Sequence, residues 1–338
     1  VTKNAAGTVT GTTYTTEPEP GDQVSLTIDL DLQSAAEQSL TKGIENMKSK
    51  STETSDAVGG GALVAVDVAT GQPLAIANYP TFDLQTLFQS EENYKAVSES
   101  DNQPLFNRAL LGQYSPGSTF KPCTAIAGLT EGVITTGTRI QCTGTFRKYE
   151  DTGYAAKCWI ASSGVTQGNE NVTEAIRDSC NIFFYTVGDS LPIDTLARYA
   201  AAFGLGEHTG IELPEAVGRR ANPETKKELY DEGHDGWYDA DTVAASNGQS
   251  ENRFTPLQLC SYPAALANRG VRYTATLLKR VLSSDYQKLI RENQPVVAST
   301  LDISDEAYAA YSEGMREAVT SGTAYSAFVG YDVAVCAK

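Results

Sequence analysis

A mixed α/β (α+β) fold is what this 338-residue chain predicts, and three observations carry the expectation. Two apolar, strand-like runs at 60–68 and 72–80 flank a short Ala-Thr-Gly bend, the pattern of an antiparallel hairpin. Apolar residues recur at helical spacing in other windows, at Leu32, Ala36, Leu40, Ile44 and Met47, and again at Tyr308, Tyr311, Met315 and Val319. The order is mixed, with the hairpin early and a further strand candidate, YDVAVCAK, at 331–338.

Taken in order, residues 1–22 are rich in Thr and Gly and end in EPEPGD, the composition of a connector. Val24 to Ile28 alternates like a strand, and Asp31 offers an N-cap for the first helix. A polar run at 49–56 breaks that helix before the hairpin. A polar loop then leads to YSPGSTFKP and an apolar helix through Leu129, whereas 131–170 reads as loop because Gly, Thr and Ser crowd it. NVTEAIRDS is a helix opened by an Asn171/Glu174 capping arrangement. Further helices are expected at 194–203, 256–268 and 304–320, and no internal repeat is visible.

Composition narrows the function. Hydrophobic residues at 41% with 20% charged place the chain among globular proteins. A net charge of −16 argues against nucleic acid as a partner, since phosphate contacts need clustered Lys and Arg. No apolar stretch is long enough to cross a membrane, and no signal peptide is visible. The chain begins with Val1 rather than Met, so the natural start and any anchor are expected upstream. Six cysteines, Cys123, Cys142, Cys158, Cys180, Cys260 and Cys336, show no paired CxxC spacing, so zinc-finger chemistry is excluded. His208 and His234 are the only histidines and read as loop residues, so a Ser-His-Asp or Cys-His mechanism would have to rest on one of these two, and a different base is expected.

Ser115-Pro-Gly-Ser118-Thr-Phe-Lys121-Pro122 is the stretch richest in chemistry. Pro and Gly set a turn before Ser118, and Pro122 fits a helix only in its first turn. Ser118 then sits at a helix N-terminus, which favours developing negative charge, with Lys121 one turn on along the same face. Lys121 can take a proton from Ser118 only when neutral, which requires its pKa to fall from about 10.4 toward neutrality, a cost of about 4 kcal/mol. Burial and a second cation are the available means. Alone, Ser-x-x-Lys occurs by chance on many surface helices. Ser179-Cys180-Asn181, before the apolar run IFFY, adds a hydroxyl and an amide two residues apart that can face one cleft. Such residues also serve as ordinary helix caps. Lys338, closing YDVAVCAK, is placed to supply the second cation, or is simply a terminal lysine.

Together, Ser-x-x-Lys, Ser-x-Asn and a terminal Ala-Lys in that order resemble the three motifs of penicillin-binding proteins and serine β-lactamases. The framework agrees over about residues 22–338: GDQVSLTIDLDLQ, GALVAVDVATGQPLAIANYP, FGLGEHTGIELPE, SNGQ with TPLQL, LANRG and SGTAYSAF resemble a class B transpeptidase domain. The Gly-Ile-Glu-Leu-Pro segment and the Cys142…Cys158-Trp159 loop are most similar to the elongation-type penicillin-binding protein 2. The resemblance implies a central antiparallel sheet flanked by helices. It implies Ser118 as the acylated nucleophile, Lys121 as its base, Ser179 and Asn181 as the pair that moves protons and orients the peptide, and Lys338 as the lysine supporting the pKa shift and the substrate carboxylate. The implied partners are a stem peptide ending in D-Ala-D-Ala, β-lactams and a membrane glycosyltransferase of the elongation machinery. The implied location is the extracytoplasmic face of a bacterial membrane, held by an N-terminal helix outside this chain. No cofactor is implied. Residues 1–22 would be a connector or the remnant of an N-terminal pedestal, and 23–338 the transpeptidase domain.

The chain departs from that family twice. Several members place a His a few residues after the Cys-Trp pair, in a position suited to zinc; here the stretch is WIASSGVTQGN, so no metal is expected. Cys142 and Cys158 are left as a disulfide, if the domain faces an oxidising exterior, or as two free thiols. The Thr and Gly of the third motif do not follow Lys338, so the domain is expected to be truncated there, and the fragment inactive and poorly folded. Alternatives within the superfamily are a D,D-carboxypeptidase or β-lactamase; outside catalysis, the alternative is a β-lactam sensor.

Overall fold

The computed structural model of the chain describes residues 1–11, 19–50 and 59–338. Two compact units divide it. The smaller comprises 1–27 and 278–294. In it Thr2–Lys3 pairs with Val9–Gly11, and Leu278–Leu282 lies between Gln23–Leu26 and Leu289–Glu292 in an antiparallel sheet. The strand expected over 24–28 therefore exists, with Val24 and Leu26 on its exposed face. Segment 278–294 packs with the N-terminal residues in this unit.

The larger unit comprises 28–277 and 295–338. Its first helix, Leu30–Lys50, is capped two residues earlier than expected: the Asp29 carboxylate accepts the Leu32 N–H at 3.0 Å, and Asp31 lies inside the first turn. Most of the predicted breaker at 49–56 falls outside the described residues. The hairpin is Gly61–Val66 paired antiparallel with Pro73–Tyr79. Side chains alternate between its faces. Leu63, Ala65, Ala75 and Ala77 pack on Ala36 and Leu40 of the first helix. Ala62, Val64, Val66 and Ile76 pack with Ala109, Leu110 and Leu257. Both faces are covered, which explains why the run is apolar at nearly every position.

Three corrections follow from the chain further on. Residues 131–170 hold paired strands, Ile140–Cys142 with Gly168–Glu170 and Thr145–Tyr149 with Tyr154–Lys157. Their strands are three to five residues long, so turn residues dominate the composition and mask the alternation. Helices Glu91–Ser98, Pro223–Leu229 and Asp239–Ser246 are additional to those expected. Residues 331–338 form no strand. They lie along the helix Asp305–Thr320, where the Ala337 N–H donates to Met315 O at 3.0 Å and Arg316 donates to Val335 O at 2.7 Å. A strand needs a ladder neighbour, and this segment has a helix instead.

The expected helices otherwise appear as Val172–Arg177, Ile193–Ala202, Pro256–Ala267 and Asp305–Thr320. The Asn171 capping box is complete, with Asn171 Oδ1 accepting the Glu174 N–H and the Glu174 carboxylate accepting the Asn171 N–H. The main core forms around two buried helices, Lys121–Thr130 and Asn181–Asp189, with Ile126, Phe183, Phe184 and Val187 fully or almost fully buried. Tyr311 and Met315 of the predicted stripe enter the same cluster, and Tyr308 packs against it. These two helices begin at Lys121 and Asn181, two of the five residues singled out for chemistry.

Candidate active site

Ser118 lies in the 3₁₀ turn Gly117–Phe120, which runs directly into the helix Lys121–Thr130 with Pro122 in its first turn. The turn leaves Ser118 exposed while Lys121, three residues on, is 0% exposed. A second loop braces it. The Gly117 N–H donates to Gly248 O at 2.9 Å, and Ser115 Oγ donates to the same carbonyl at 2.8 Å. Gly248 has φ +72°, and a Cβ there would overlap Gly117 O and approach Phe120 Cβ to 2.7 Å. Only glycine meets both conditions.

Lys121 Nζ is held entirely by the Ser-x-Asn turn. It donates to Ser179 O at 2.6 Å, Asn181 Oδ1 at 2.6 Å and Ser179 Oγ at 3.2 Å. Ser179 has φ +57°, the left-handed region a non-glycine residue enters at a cost of about 1–2 kcal/mol. That conformation links the helix Val172–Arg177 to the helix Asn181–Asp189 and lets carbonyl and hydroxyl of one residue both reach the amine. Asn181 Nδ2 donates to Lys157 O at 2.9 Å, which fixes the amide so that its oxygen faces Lys121. Among the described residues, Ser118 Oγ makes no hydrogen bond.

Burial lowers the Lys121 pKa from 10.5 to about 8, against the opposing pull of Cys180, Cys158 and Glu170. Lys338 is lowered to about 7, first by burial and second by the charge of Lys121, and its Nζ donates to Ile176 O at 2.6 Å. Two buried ammonium groups in one field disfavour each other. All five predicted residues thus occur in the larger unit, with Lys121, Ser179 and Asn181 joined by hydrogen bonds and Lys338 joined to them electrostatically.

Beneath this turn lies a group the linear sequence does not reveal. The sulfur atoms of Cys142, Cys158 and Cys180 lie within 4.8 Å of one another, all buried, and all six cysteines are thiols. Cys180 is hydrogen-bonded to Cys158, which drives the Cys158 thiol toward its thiolate and Cys180 far upward. The Asn181 N–H also points at Cys158 Sγ, 3.4 Å away. Glu170, 2% exposed, faces Asp178 and Cys180, and burial, with the Asp178 carboxylate beside it, raises its pKa to about 8. The expectation of no metal rested on the missing His; the third sulfur donor comes from inside the Ser-x-Asn motif.

The model of the penicillin-binding protein transpeptidase domain matches residues 61–335. The chain belongs to that family. It is 30% identical over 311 residues to the peptidoglycan D,D-transpeptidase MrdA of Acinetobacter baumannii, covering 91% of this chain and 42% of that protein. The chain thus spans under half the length of that relative. Among solved structures, a peptidoglycan synthase complex that coordinates polymerization and crosslinking superposes with a TM-score of 0.82 at 32% identity, covering 98% of this chain and 55% of the other. Pseudomonas aeruginosa PBP2, solved with WCK 5153, superposes at 0.75 and 28% identity, covering 94% and 66%. The fold is that of penicillin-binding transpeptidase domains, with mixed helices and antiparallel strands.

Sequence reasoning used SNGQ only as a family likeness. In the fold, Ser246 and Gly248 of that segment accept hydrogen bonds from Thr124 and from the Ser118 turn. The positive φ of Gly248 is a signal that an Asn-Gly pair offers, although its partner, Gly117, is 131 positions away.

Proposed function

We propose that this chain is the acylating domain of a peptidoglycan D,D-transpeptidase, with Ser118 as nucleophile and Lys121 as general base. The observation that carries the reading is the buried Lys121 amine, lowered to about 8 and held by Ser179 and Asn181 one turn from an exposed Ser118. At pH 7 roughly a tenth of such lysines are neutral, far more than at an ordinary pKa.

In the proposed reaction neutral Lys121 takes the Ser118 Oγ proton as the oxygen attacks the penultimate D-Ala carbonyl of the donor stem peptide. The helix N-terminus beneath Ser118 favours the developing oxyanion. The Ser179 hydroxyl, 3.2 Å from Lys121 Nζ, passes the proton to the leaving D-Ala amine. Asn181 orients the peptide, and Lys338 draws the terminal carboxylate. An acceptor amine then attacks the Ser118 ester and forms the cross-link. A β-lactam opens on Ser118 by the same first step.

The setting inferred is the extracytoplasmic face of the membrane beside a glycosyltransferase, a reading supported by the similarity to a peptidoglycan synthase complex that coordinates polymerization and crosslinking. No helix among the described residues is long and apolar enough to cross a membrane. Fluorescent penicillin tests the acylation: covalent label on Ser118 that Ser118→Ala and Lys121→Met abolish supports the reading, and label retained by Lys121→Met refutes the base assignment. Adduct lifetime separates cross-linking from hydrolysis, because rapid release of the label indicates a β-lactamase.

A further inference from the structure

Beside the Ser118 site, tyrosine rings and carboxylates form a groove that is one cation short. The hairpin Thr145–Lys157 and the first turn of the helix Asp239–Ser246 bound a groove of about 520 Å³, lined by Tyr149, Thr152, Tyr154, Tyr238, Asp239 and Asp241. An adjoining groove of about 510 Å³ shares Tyr149 and Asp239. Each wall already seats a lysine of the protein itself. Lys148 Nζ stands 5.2 Å from the centre of the Tyr149 ring and 2.6 Å from Asp189 Oδ2. Lys226 Nζ stands 5.4 Å from the centre of the Tyr238 ring, 5.8 Å from that of Trp237 and 2.6 Å from Asp241 Oδ2. A ring face beside a carboxylate is a seat for an ammonium group.

The third tyrosine and the third carboxylate, Tyr154 and Asp239, have no such occupant. Among the described residues, neither side chain makes a hydrogen bond, an ion pair or a ring–cation contact. Asp239 is exposed and Tyr154 half-buried, so a ligand in the groove reaches both. Capping of the helix does not occupy Asp239, because Asp241 takes the Tyr238 N–H as well as Lys226. Both walls lead to the reacting centre. Lys157 O holds Asn181, and Tyr154 lies three residues back along the strand, about 10 Å away. The helix that starts at Asp239 spans about 12 Å to Ser246, next to the Gly248 loop that braces the Ser118 turn. A donor peptide joined to Ser118 has its preceding Cα about 4 Å beyond that of the acylated residue. A four-carbon amino side chain then carries a terminal amine to about the same 10–12 Å.

We propose that Tyr154 and Asp239 form a subsite for the side-chain ammonium of the donor peptide, on a diamino acid immediately before D-Ala-D-Ala. The identity of the peptide rests on the transpeptidase reading; the ammonium seat rests on the groove. A peptide that serves as donor and as acceptor carries its amine in both roles. The subsite keeps the donor's amine charged and away from its own Ser118 ester, which leaves that ester to the acceptor.

The test measures binding by calorimetry at pH 7 to Ser118→Ala protein expressed from the complete gene. The probes are Nα-acetyl-Lys-D-Ala-D-Ala and the same peptide acetylated at Nε. The free amine should bind about 10-fold tighter. Asp239→Asn and Tyr154→Leu, each added to Ser118→Ala, should bring that ratio below about 2-fold, whereas Tyr154→Phe, which keeps the ring face, should preserve it. Asp151→Asn removes a carboxylate of the same hairpin outside the groove lining and should also preserve it. A ratio between two peptides is insensitive to partial loss of folded protein. Equal affinities, no binding of either peptide, a preference that survives both Asp239→Asn and Tyr154→Leu, or displacement of the peptide by chitotetraose would each overturn the subsite, the last by assigning the groove to glycan. Penicillin labelling of the unmodified protein is scored separately. Label without an amine preference refutes the subsite alone, and an amine preference without label refutes the acylation reading and leaves the subsite standing.

Discussion

Replacing Gly248 by Ala should disable Ser118 from a distance. The new Cβ would overlap Gly117 O, and it would lie 2.7 Å from Phe120 Cβ and 2.9 Å from Gly117 N. It would also force Ala into φ +72°, at about 1–2 kcal/mol. Backbone atoms cannot swing aside as a flexible side chain can, so overpacking adds about 1–3 kcal/mol. The total, about 2–5 kcal/mol, is a large part of a domain's stability. Relief comes most simply by moving the Gly117–Phe120 turn, which carries Ser118, and a shift of about 1 Å at a reacting group costs about 10²-fold in rate. The assay is the second-order rate of fluorescent penicillin labelling together with the melting temperature. Gly132→Ala is the control, because Gly132 has φ +70° with nothing within 4 Å of its Cβ position. It should lose about 1 kcal/mol and label normally. Labelling of Gly248→Ala at the unmodified rate, with an unchanged melting temperature, would refute the bracing argument.

Further outcomes follow from the same geometry. Acylation should rise about tenfold per pH unit below about 8 and level off above it, since the neutral lysine is the active form and Lys121 titrates there; a rate–pH profile from pH 5 to 10 reads this. Lys338→Met should leave the midpoint of that profile near 8, since Lys338, lowered to about 7, is already largely neutral where Lys121 titrates. Asn181→Ala removes an acceptor 2.6 Å from Lys121 Nζ and should slow labelling about 10²–10³-fold. Asn171→Ala breaks the capping box and should cost about 1 kcal/mol of stability in denaturant unfolding while leaving labelling unchanged.

Local signals in the chain foretell local structure well. The Asn171 box, the Pro122 position and the stripe from Tyr308 to Val319 each depend on residues within a turn or two, and each appears as expected. The hairpin strands were legible because a Gly-containing bend separates two apolar runs of matching length. Long-range features were not legible. The strands between 140 and 170 are too short to show alternation, and the strand expected at 331–338 docks on a helix through Ala337 and Arg316. At the site, order along the chain named five residues but not their bonds. That Lys121 is gripped by the Ser179 carbonyl, that Gly248 braces the Ser118 turn and that Cys180 meets two other sulfurs are facts of contact across 58, 130 and up to 38 positions respectively. Spacing alone carries no such information.

The central claim, that Lys121 activates Ser118 for acylation, is tested most directly by the site of penicillin attachment. The protein expressed from its complete gene is incubated with fluorescent penicillin, digested and mapped by mass spectrometry at pH 6 and pH 9. The account predicts one adduct, on Ser118, forming much faster at pH 9 and absent in Lys121→Met. An adduct on another residue, or equal rates at the two pH values with Lys121→Met still labelled, would contradict it.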